Sequence, residues 1–120
     1  MGDIIYKICS REAWSLAITE GVYAGSPDDA RDGFIHFSHE HQLRTTAMKY
    51  FSGRDDLWLV AVNADALGTA LRREPSRGGE LFPHLYAALS LHAVLWSRPL
   101  PWNGSGHDWP GDLVSLHSKL

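Results

Sequence analysis

The stretch DLWLVAVNA, residues 56–64, is the clearest strand in the chain. Its run of apolar residues is nearly continuous, which is typical of a strand that is buried on both faces. It is also far shorter than the ~20 residues that a membrane helix needs. We therefore expect this segment to be the central strand of a sheet, with the other elements arranged around it.

The segments before this strand predict a strand, a helix and a loop. Residues 4–8 are rich in isoleucine and tyrosine and predict a first strand. Ser10 is suited to cap a helix over residues 11–20, and Gly21 is suited to end it. The segment AGSPDDARDG, residues 24–33, is polar and rich in turn residues, so it predicts a surface loop.

The next segment, FIHFS at residues 34–38, predicts a short strand. Side chains alternate along a strand, so Phe34, His36 and Ser38 share one face. Ser38 is also suited to cap a helix that begins at His39.

The C-terminal half predicts two further strands. One follows the turn in ALGTALRRE and ends near Glu74, and the other is HAVLWSRPL, residues 92–100. Between them, PSRGGELFPH, residues 75–84, predicts a loop because its prolines and glycines disfavour regular structure. The tail from Trp102 onward is expected to lie across the surface.

These elements indicate one α+β domain over residues 1–120, with 100–120 as a C-terminal tail. The strands and helices do not alternate as in a doubly wound nucleotide-binding fold. A small mixed sheet, largely antiparallel, with two main helices fits their order better.

Composition excludes several classes of function. The formal net charge of −3 argues against a general nucleic-acid binder. Cys9 is the only cysteine, so no disulfide forms within the chain, and we interpret it as a buried structural thiol. The first residues do not form a signal peptide, and no apolar run reaches membrane length. We therefore expect a cytoplasmic protein with no membrane association.

Three histidines, His36, His39 and His41, lie close together in the sequence. Their spacing crosses a strand-to-helix junction, which directs the rings differently, and the HExxH pattern is absent. We therefore expect no metal site, and a metal-dependent hydrolase is the weakest functional hypothesis. His36 and Ser38 leave two interpretations open: a hydrogen-bonded pair in the core, or a pair that lines a cleft.

The segment LRREPSRGGELFPHLY, residues 71–86, is dense in residue types that bind ligands. Arginine matches phosphate or carboxylate, paired glycines expose backbone N–H groups, and Tyr86 offers a face for stacking. The alternative is a surface loop of solvated ion pairs. The candidate binding and catalytic residues are Arg73, Glu74, Arg77, Gly79, Glu80, His84 and Tyr86.

The blocks IYKI, DGFIHFS, LWLVAVNADAL, RGGELFPHLY and LHAVLWSRPL resemble the domain of unknown function 952 family. The resemblance extends over residues 4–99. It implies an ADP-ribosyltransferase-like fold, in which a split β-sheet holds NAD in a cleft. The segment from Gly33 to Leu67 is also similar to part of the RNA 2′-phosphotransferases, which use NAD.

The resemblance assigns three motif positions. The first falls near Tyr6 or Lys7, where many relatives have His or Arg, and the second falls on His36 and Ser38. The third lies among Glu74, Glu80 and His84, and spacing does not choose among them. The resemblance implies that His36 binds the ribose, that Ser38 orients the nicotinamide, and that Arg73 and Arg77 bind phosphate. It implies that Glu74 or Glu80 stabilises the sugar. His84 would act as a base or phosphate ligand, and Tyr86 would stack on a ring.

Two main hypotheses follow. The first is an enzyme that binds NAD or a related phosphorylated nucleotide in a His/Arg-lined cleft and cleaves or transfers ADP-ribose, with stabilisation of an oxocarbenium-like sugar. The second is a non-catalytic module of the same fold that binds a nucleotide or another phosphorylated small molecule. Tyr6 or Lys7 at the first motif position, where many relatives have His or Arg, favours the second.

Overall fold

The computed structural model describes residues 3–111, which fold as an α+β structure. The strands are β1 (Ile4–Ser10), β2 (Val22–Tyr23), β3 (Ile35–His36), β4 (Leu57–Asn63), β5 (Leu71–Ser76), β6 (Glu80–Leu85), β7 (Leu89–Ser90) and β8 (Val94–Leu100). The helices are α1 (Arg11–Glu20), α2 (Pro27–Asp32) and α3 (Leu43–Tyr50). Short 3₁₀ turns occupy Glu40–Gln42, Ala64–Ala70, Arg77–Gly79 and Leu91–Ala93.

Strand β4 is the centre of a three-stranded antiparallel sheet in the order β1–β4–β8. Four consecutive residues, Leu59 to Val62, have no exposed surface, which confirms that the strand is buried on both faces. The partner strand β1 places Lys7 opposite Val60. Because side chains alternate along β1, Ile5 and Cys9 pack into one core cluster, and Tyr6 and Ile8 pack into another.

A second antiparallel sheet has the order β3–β6–β5. It meets the first sheet at an isolated bridge in which Tyr6 N donates to Ser38 O over 2.9 Å and Ser38 N donates to Tyr6 O over 2.8 Å. Past this bridge the residues of β1 that follow Tyr6 have no partner strand on that side within the described part of the chain. The two sheets therefore diverge, and a cleft opens between them.

The prediction of a surface loop over residues 24–33 is wrong, because this segment contains helix α2. The Ser26 side chain accepts from Asp29 N, the Asp29 side chain accepts from Ser26 N, and Pro27 occupies the first helical turn. This reciprocal capping box stabilises a helix that is too short to show an apolar period.

The prediction of a loop over residues 75–84 is also wrong. Strands β5 and β6 form a hairpin here, closed by the turn at Arg77–Gly79, in which Gly78 and Gly79 have positive φ. Pro83 is tolerated within β6 because it faces the end of β3. Its carbonyl still accepts from Phe37 N over 3.0 Å, and only one ladder bond is lost.

The second main helix starts later than its sequence indicates. The backbone of Ser38 is engaged in the bridge to Tyr6, and a 3₁₀ turn precedes α3, which begins at Leu43 and not at His39. Trp109 packs against one core cluster, and the Arg44 guanidinium lies 5.2 Å from its ring centroid. The last nine residues of the predicted tail lie outside the described part.

No helix within residues 3–111 is long and apolar enough to cross a membrane.

Truncation of the central strand tests this description of the core. Leu59 has no exposed surface, so we expect Leu59→Ala to lower the free energy of unfolding by about 2 to 5 kcal/mol, since it leaves a cavity in the core. Leu16→Ala is the matched control because Leu16 is 58% exposed. Urea titrations that give the two variants equal losses would contradict the assignment of β4 as the centre of the sheet.

Candidate functional site

The cleft between the diverging sheets has a volume of about 680 Å³. The free edge of β1 forms one wall, and β3 with helix α2 forms another. The end of α3 and the following turn close one side, where Arg54 lies. Ser76, the last residue of β5, also lines the cleft. This cleft therefore brings together segments that are far apart in the sequence.

A buried carboxylate, Asp29, organises one wall of the cleft. Its side chain is 2% exposed and bonds to three segments of the chain. Lys7 Nζ donates to both oxygens over 2.8 and 3.1 Å. The backbone N–H groups of Ser26 and His36 donate over 2.8 and 3.1 Å, and His36 Nδ1 lies 2.5 Å from Oδ1. Asp29 thus connects β1, the start of α2 and β3.

Local sequence explains how Asp29 reaches this position. The capping box turns its carboxylate back toward the helix start. Gly25, with φ of 109°, lets the backbone pass close by, since a Cβ at this position would lie 3.0 Å from Asp29 Cβ. Gly33 ends α2 with φ of 86°, which directs the chain into β3.

The charges of this pair affect each other through burial and contact. Burial opposes ionisation of Asp29, but the hydrogen bond to His36 and the charge of Lys7 outweigh it and hold the pKa of the carboxyl well below its ordinary value. Burial lowers the pKa of Lys7, and contact with Asp29 offsets only part of that effect. Lys7 and Asp29 therefore each need the other to remain charged in this buried position.

His36 lies between two carboxylates. Its Nδ1 faces the buried Asp29, and its Nε2 lies 2.9 Å from Oδ2 of Asp32 at the end of α2. Its side chain is 25% exposed, so one edge of the ring is open to the cleft. Only the imidazolium form donates from both nitrogens. His36 and Ser38 are both among the residues that line the cleft, and Ser38 is buried with 5% of its surface exposed.

A second cluster lies next to His36 on the β3–β6–β5 sheet. His84 pairs with His36 across the ladder, and its Nδ1 lies 2.8 Å from Glu74 Oε1. Tyr86 also donates to Glu74 over 2.7 Å, and these two hydrogen bonds lower the pKa of Glu74. The Phe34 ring stacks on His84 with centroids 4.0 Å apart. His84 is buried, and neither His84, Glu74 nor Tyr86 lines the cleft.

The other predicted residues lie elsewhere. Arg73 is on the opposite face of β5 from Glu74 and forms an ion pair with Asp3. Glu80 is exposed and accepts from Gln42 and His41 at 2.9 and 2.8 Å.

Two predicted residues belong to the hairpin turn. The backbone of Arg77 and Gly79 forms this turn next to Ser76 at the cleft, whereas the side chain of Arg77 lies outside the described part.

The three histidines of the 36–41 segment have different partners. His36 contacts Asp29 and Asp32, while the rings of His39 and His41 stack on each other with centroids 5.8 Å apart. Among residues 3–111 there is no group of three His, Cys, Asp or Glu side chains suited to hold a metal ion. Burial raises the pKa of the Cys9 thiol to about 12, which is unsuited to a nucleophile.

Five charged residues that line the cleft are not among those predicted from the sequence: Asp28, Asp29, Arg31, Asp32 and Arg54. One signal for Asp29 was present. The segment SPDD, residues 26–29, has the pattern of a capping box followed by a helix.

Comparison with known proteins agrees with this fold. The family model described as "Protein of unknown function (DUF952)" matches residues 8–97, so the chain belongs to that family. The crystal structure of protein CC0527 from Caulobacter crescentus is 41% identical, covers 98% of this chain and 99% of its own, and has a TM-score of 0.84. The solution NMR structure of CC0527 is 44% identical over 87% of this chain and 90% of its own, with a TM-score of 0.78. No curated protein matches.

Removing the central carboxylate should cost much of the stability. We expect Asp29→Asn to lower the free energy of unfolding by about 3 to 5 kcal/mol, because it leaves Lys7 charged and unpaired in a buried position. The double variant Lys7→Met, Asp29→Asn should recover part of that loss. Asp28→Asn, at an exposed neighbour, is the control and should change stability by less than about 0.5 kcal/mol. Equal losses in Asp29→Asn and Asp28→Asn by urea titration would contradict the role of Asp29.

The depressed pKa of Asp29 predicts a dependence on pH. The unfolded carboxyl has a pKa of about 3.9, so the stabilisation by Asp29 is complete well above that value and is lost as the pH falls toward the lower pKa of the fold. The difference in unfolding free energy between the wild type and Asp29→Asn should therefore be largest near pH ~6 and shrink in stronger acid. A difference that stays constant from pH ~6 to pH ~2 would rule this out. The double variant serves as the reference if Asp29→Asn does not fold.

Proposed function

We propose that the cleft binds NAD or a related phosphorylated nucleotide and that the protein cleaves or transfers its ADP-ribose unit, as an enzyme of ADP-ribosyltransferase-like fold. The observation that carries this proposal is the position of Lys7, His36 and Ser38. All three line one cleft at the point where two antiparallel sheets diverge. The turn that follows Ser76 starts at the same cleft.

The chemistry of this wall suits a ribose with a leaving group. Breaking the bond between nicotinamide and ribose develops positive charge on the sugar, and a nearby carboxylate or hydroxyl contact stabilises it. In this proposal His36 binds the ribose hydroxyls. Asp29 holds the ring in place from the buried side, and Ser38 contacts the nicotinamide end.

The cations of the cleft already have partners. Lys7 pairs with Asp29, Arg54 pairs with Asp56 over 2.9 Å, and Arg31 pairs with Asp28 and Asp32. A phosphate group of a ligand would therefore displace the carboxylate of an exposed ion pair, since the pair of Lys7 and Asp29 is buried.

One observation favours a second candidate, a binding module without catalysis. Glu74 and Glu80 are the carboxylates that the resemblance assigns to the sugar, but Glu74 bonds to His84 and Tyr86 and Glu80 bonds to His41 and Gln42. Neither lines the cleft. A protein of this kind would hold the nucleotide and release it unchanged.

Ligand-dependent stability tests binding. NAD and ADP-ribose at millimolar concentration should raise the melting temperature, since a ligand at about 100 times its Kd adds about 2.7 kcal/mol to stability. His36→Gln should abolish the shift. His41→Gln should retain it, because His41 is exposed and lies outside the cleft. No shift with either compound in the wild type would reject this class of ligand.

Product analysis separates an enzyme from a binding module. Incubation with NAD should release nicotinamide, detected by chromatography, and His36→Gln should release none above the rate without protein. A melting shift without nicotinamide release, with water or added acceptors present, would favour the binding module.

A further inference from the structure

The contact between Asp32 and His36 lies at the cleft, and both side chains are partly exposed. The Asp32 carboxylate bridges two donors: Oδ2 lies 2.9 Å from His36 Nε2, and Oδ1 accepts from Arg31 Nε over 3.0 Å. All three side chains line the cleft. An imidazole and a guanidinium that share one oxyanion are a donor set with which proteins bind phosphate.

The two carboxylates on His36 differ in how firmly they are held. Asp29 is 2% exposed and bonds to Lys7 and to two backbone N–H groups. Asp32 is 33% exposed, and its side-chain partners within residues 3–111 are Arg31 and His36. Arg31 itself is 68% exposed. An exposed pair of this kind contributes little to stability, so another anion can replace its carboxylate.

We propose that Arg31 and His36 form an anion subsite and that Asp32 occupies it in the absence of ligand. A phosphate or pyrophosphate group of a ligand displaces the Asp32 carboxylate, bonds to His36 Nε2 and Arg31, and leaves the Asp29 contact unchanged. The inference deepens the proposed function, on which it rests for the identity of the natural ligand, by naming the position of its phosphate groups, and it reassigns His36 Nε2 from the ribose hydroxyls to a phosphate group.

Replacement of Asp32 tests the subsite, with inorganic pyrophosphate as the probe. Asp32→Asn removes the competing charge and should tighten pyrophosphate binding by about fivefold in calorimetric titration. Asp28→Asn is the matched control. It removes the same charge from the same cleft and from the same arginine, but Asp28 has no contact with His36. It should tighten binding less, and both His36→Gln and Arg31→Gln should weaken it.

A second measurement locates the anion. In ¹⁵N-detected NMR spectra of imidazole groups, pyrophosphate should shift the Nε2 signal of His36 and leave the signal of His41 unchanged. The shift should begin at a lower concentration in Asp32→Asn. This readout also serves in the wild type if the variant is poorly folded.

Several outcomes would overturn the subsite. Equal tightening in Asp32→Asn and Asp28→Asn would show a general effect of charge, and unchanged or weaker binding in Asp32→Asn would show that Asp32 is only a structural partner. Failure of the proposed function is distinguishable. If pyrophosphate binding follows these predictions but NAD causes no melting shift, the subsite is retained and NAD is rejected as the ligand. If NAD binds but Asp32→Asn has no effect on pyrophosphate binding, NAD is retained and the subsite is rejected.

Discussion

The buried carboxylate of Asp29 joins three segments of the chain, strand β1, helix α2 and strand β3. Lys7 comes from a strand at the start of the chain, 22 residues earlier, and His36 comes from a strand of the other sheet. Asp29 itself belongs to a helix of six residues. Helices of this length are unstable alone, so the ion pair and the capping box fix α2 against both sheets. Without this contact α2 would lose the side-chain bonds that Asp29 forms with both sheets.

A buried ion pair is an expensive way to stabilise a fold. Removing two charges from water costs several kcal/mol for each ion, and apolar residues of similar volume are often as stable. The contribution of Lys7 and Asp29 is instead to fix the orientation of the His36 ring. Asp29 accepts at His36 Nδ1 and so directs Nε2 toward Asp32 at the cleft, much as a carboxylate orients the histidine in many catalytic and metal sites. The arrangement is better explained by the position of His36 than by stability.

The elements that can be predicted from the sequence have strong local signals. The apolar run of β4, the cap at Ser10 and the glycine at position 21 all behave as local physics dictates. The start of β5 is predicted as a strand, but β6 escapes prediction because Pro83 disfavours a strand and is tolerated only where it faces the end of β3. The site is predictable in part. His36, Ser38 and Lys7 line the cleft, but the capping-box position of Asp29 predicts only the start of a helix and not its burial, which depends on Lys7.

The bridge between Tyr6 and Ser38 has a mechanical consequence when it is considered with the ion pair. The two sheets also share an apolar core cluster, but on the cleft side the bridge alone would leave room for rotation between them. The chain of contacts from Lys7 through Asp29 to His36 is a second point of attachment, beyond the bridge. Two anchors restrict that rotation, so a ligand of the kind proposed would meet walls whose separation is already fixed, and little of its binding free energy would be spent on rearranging the protein.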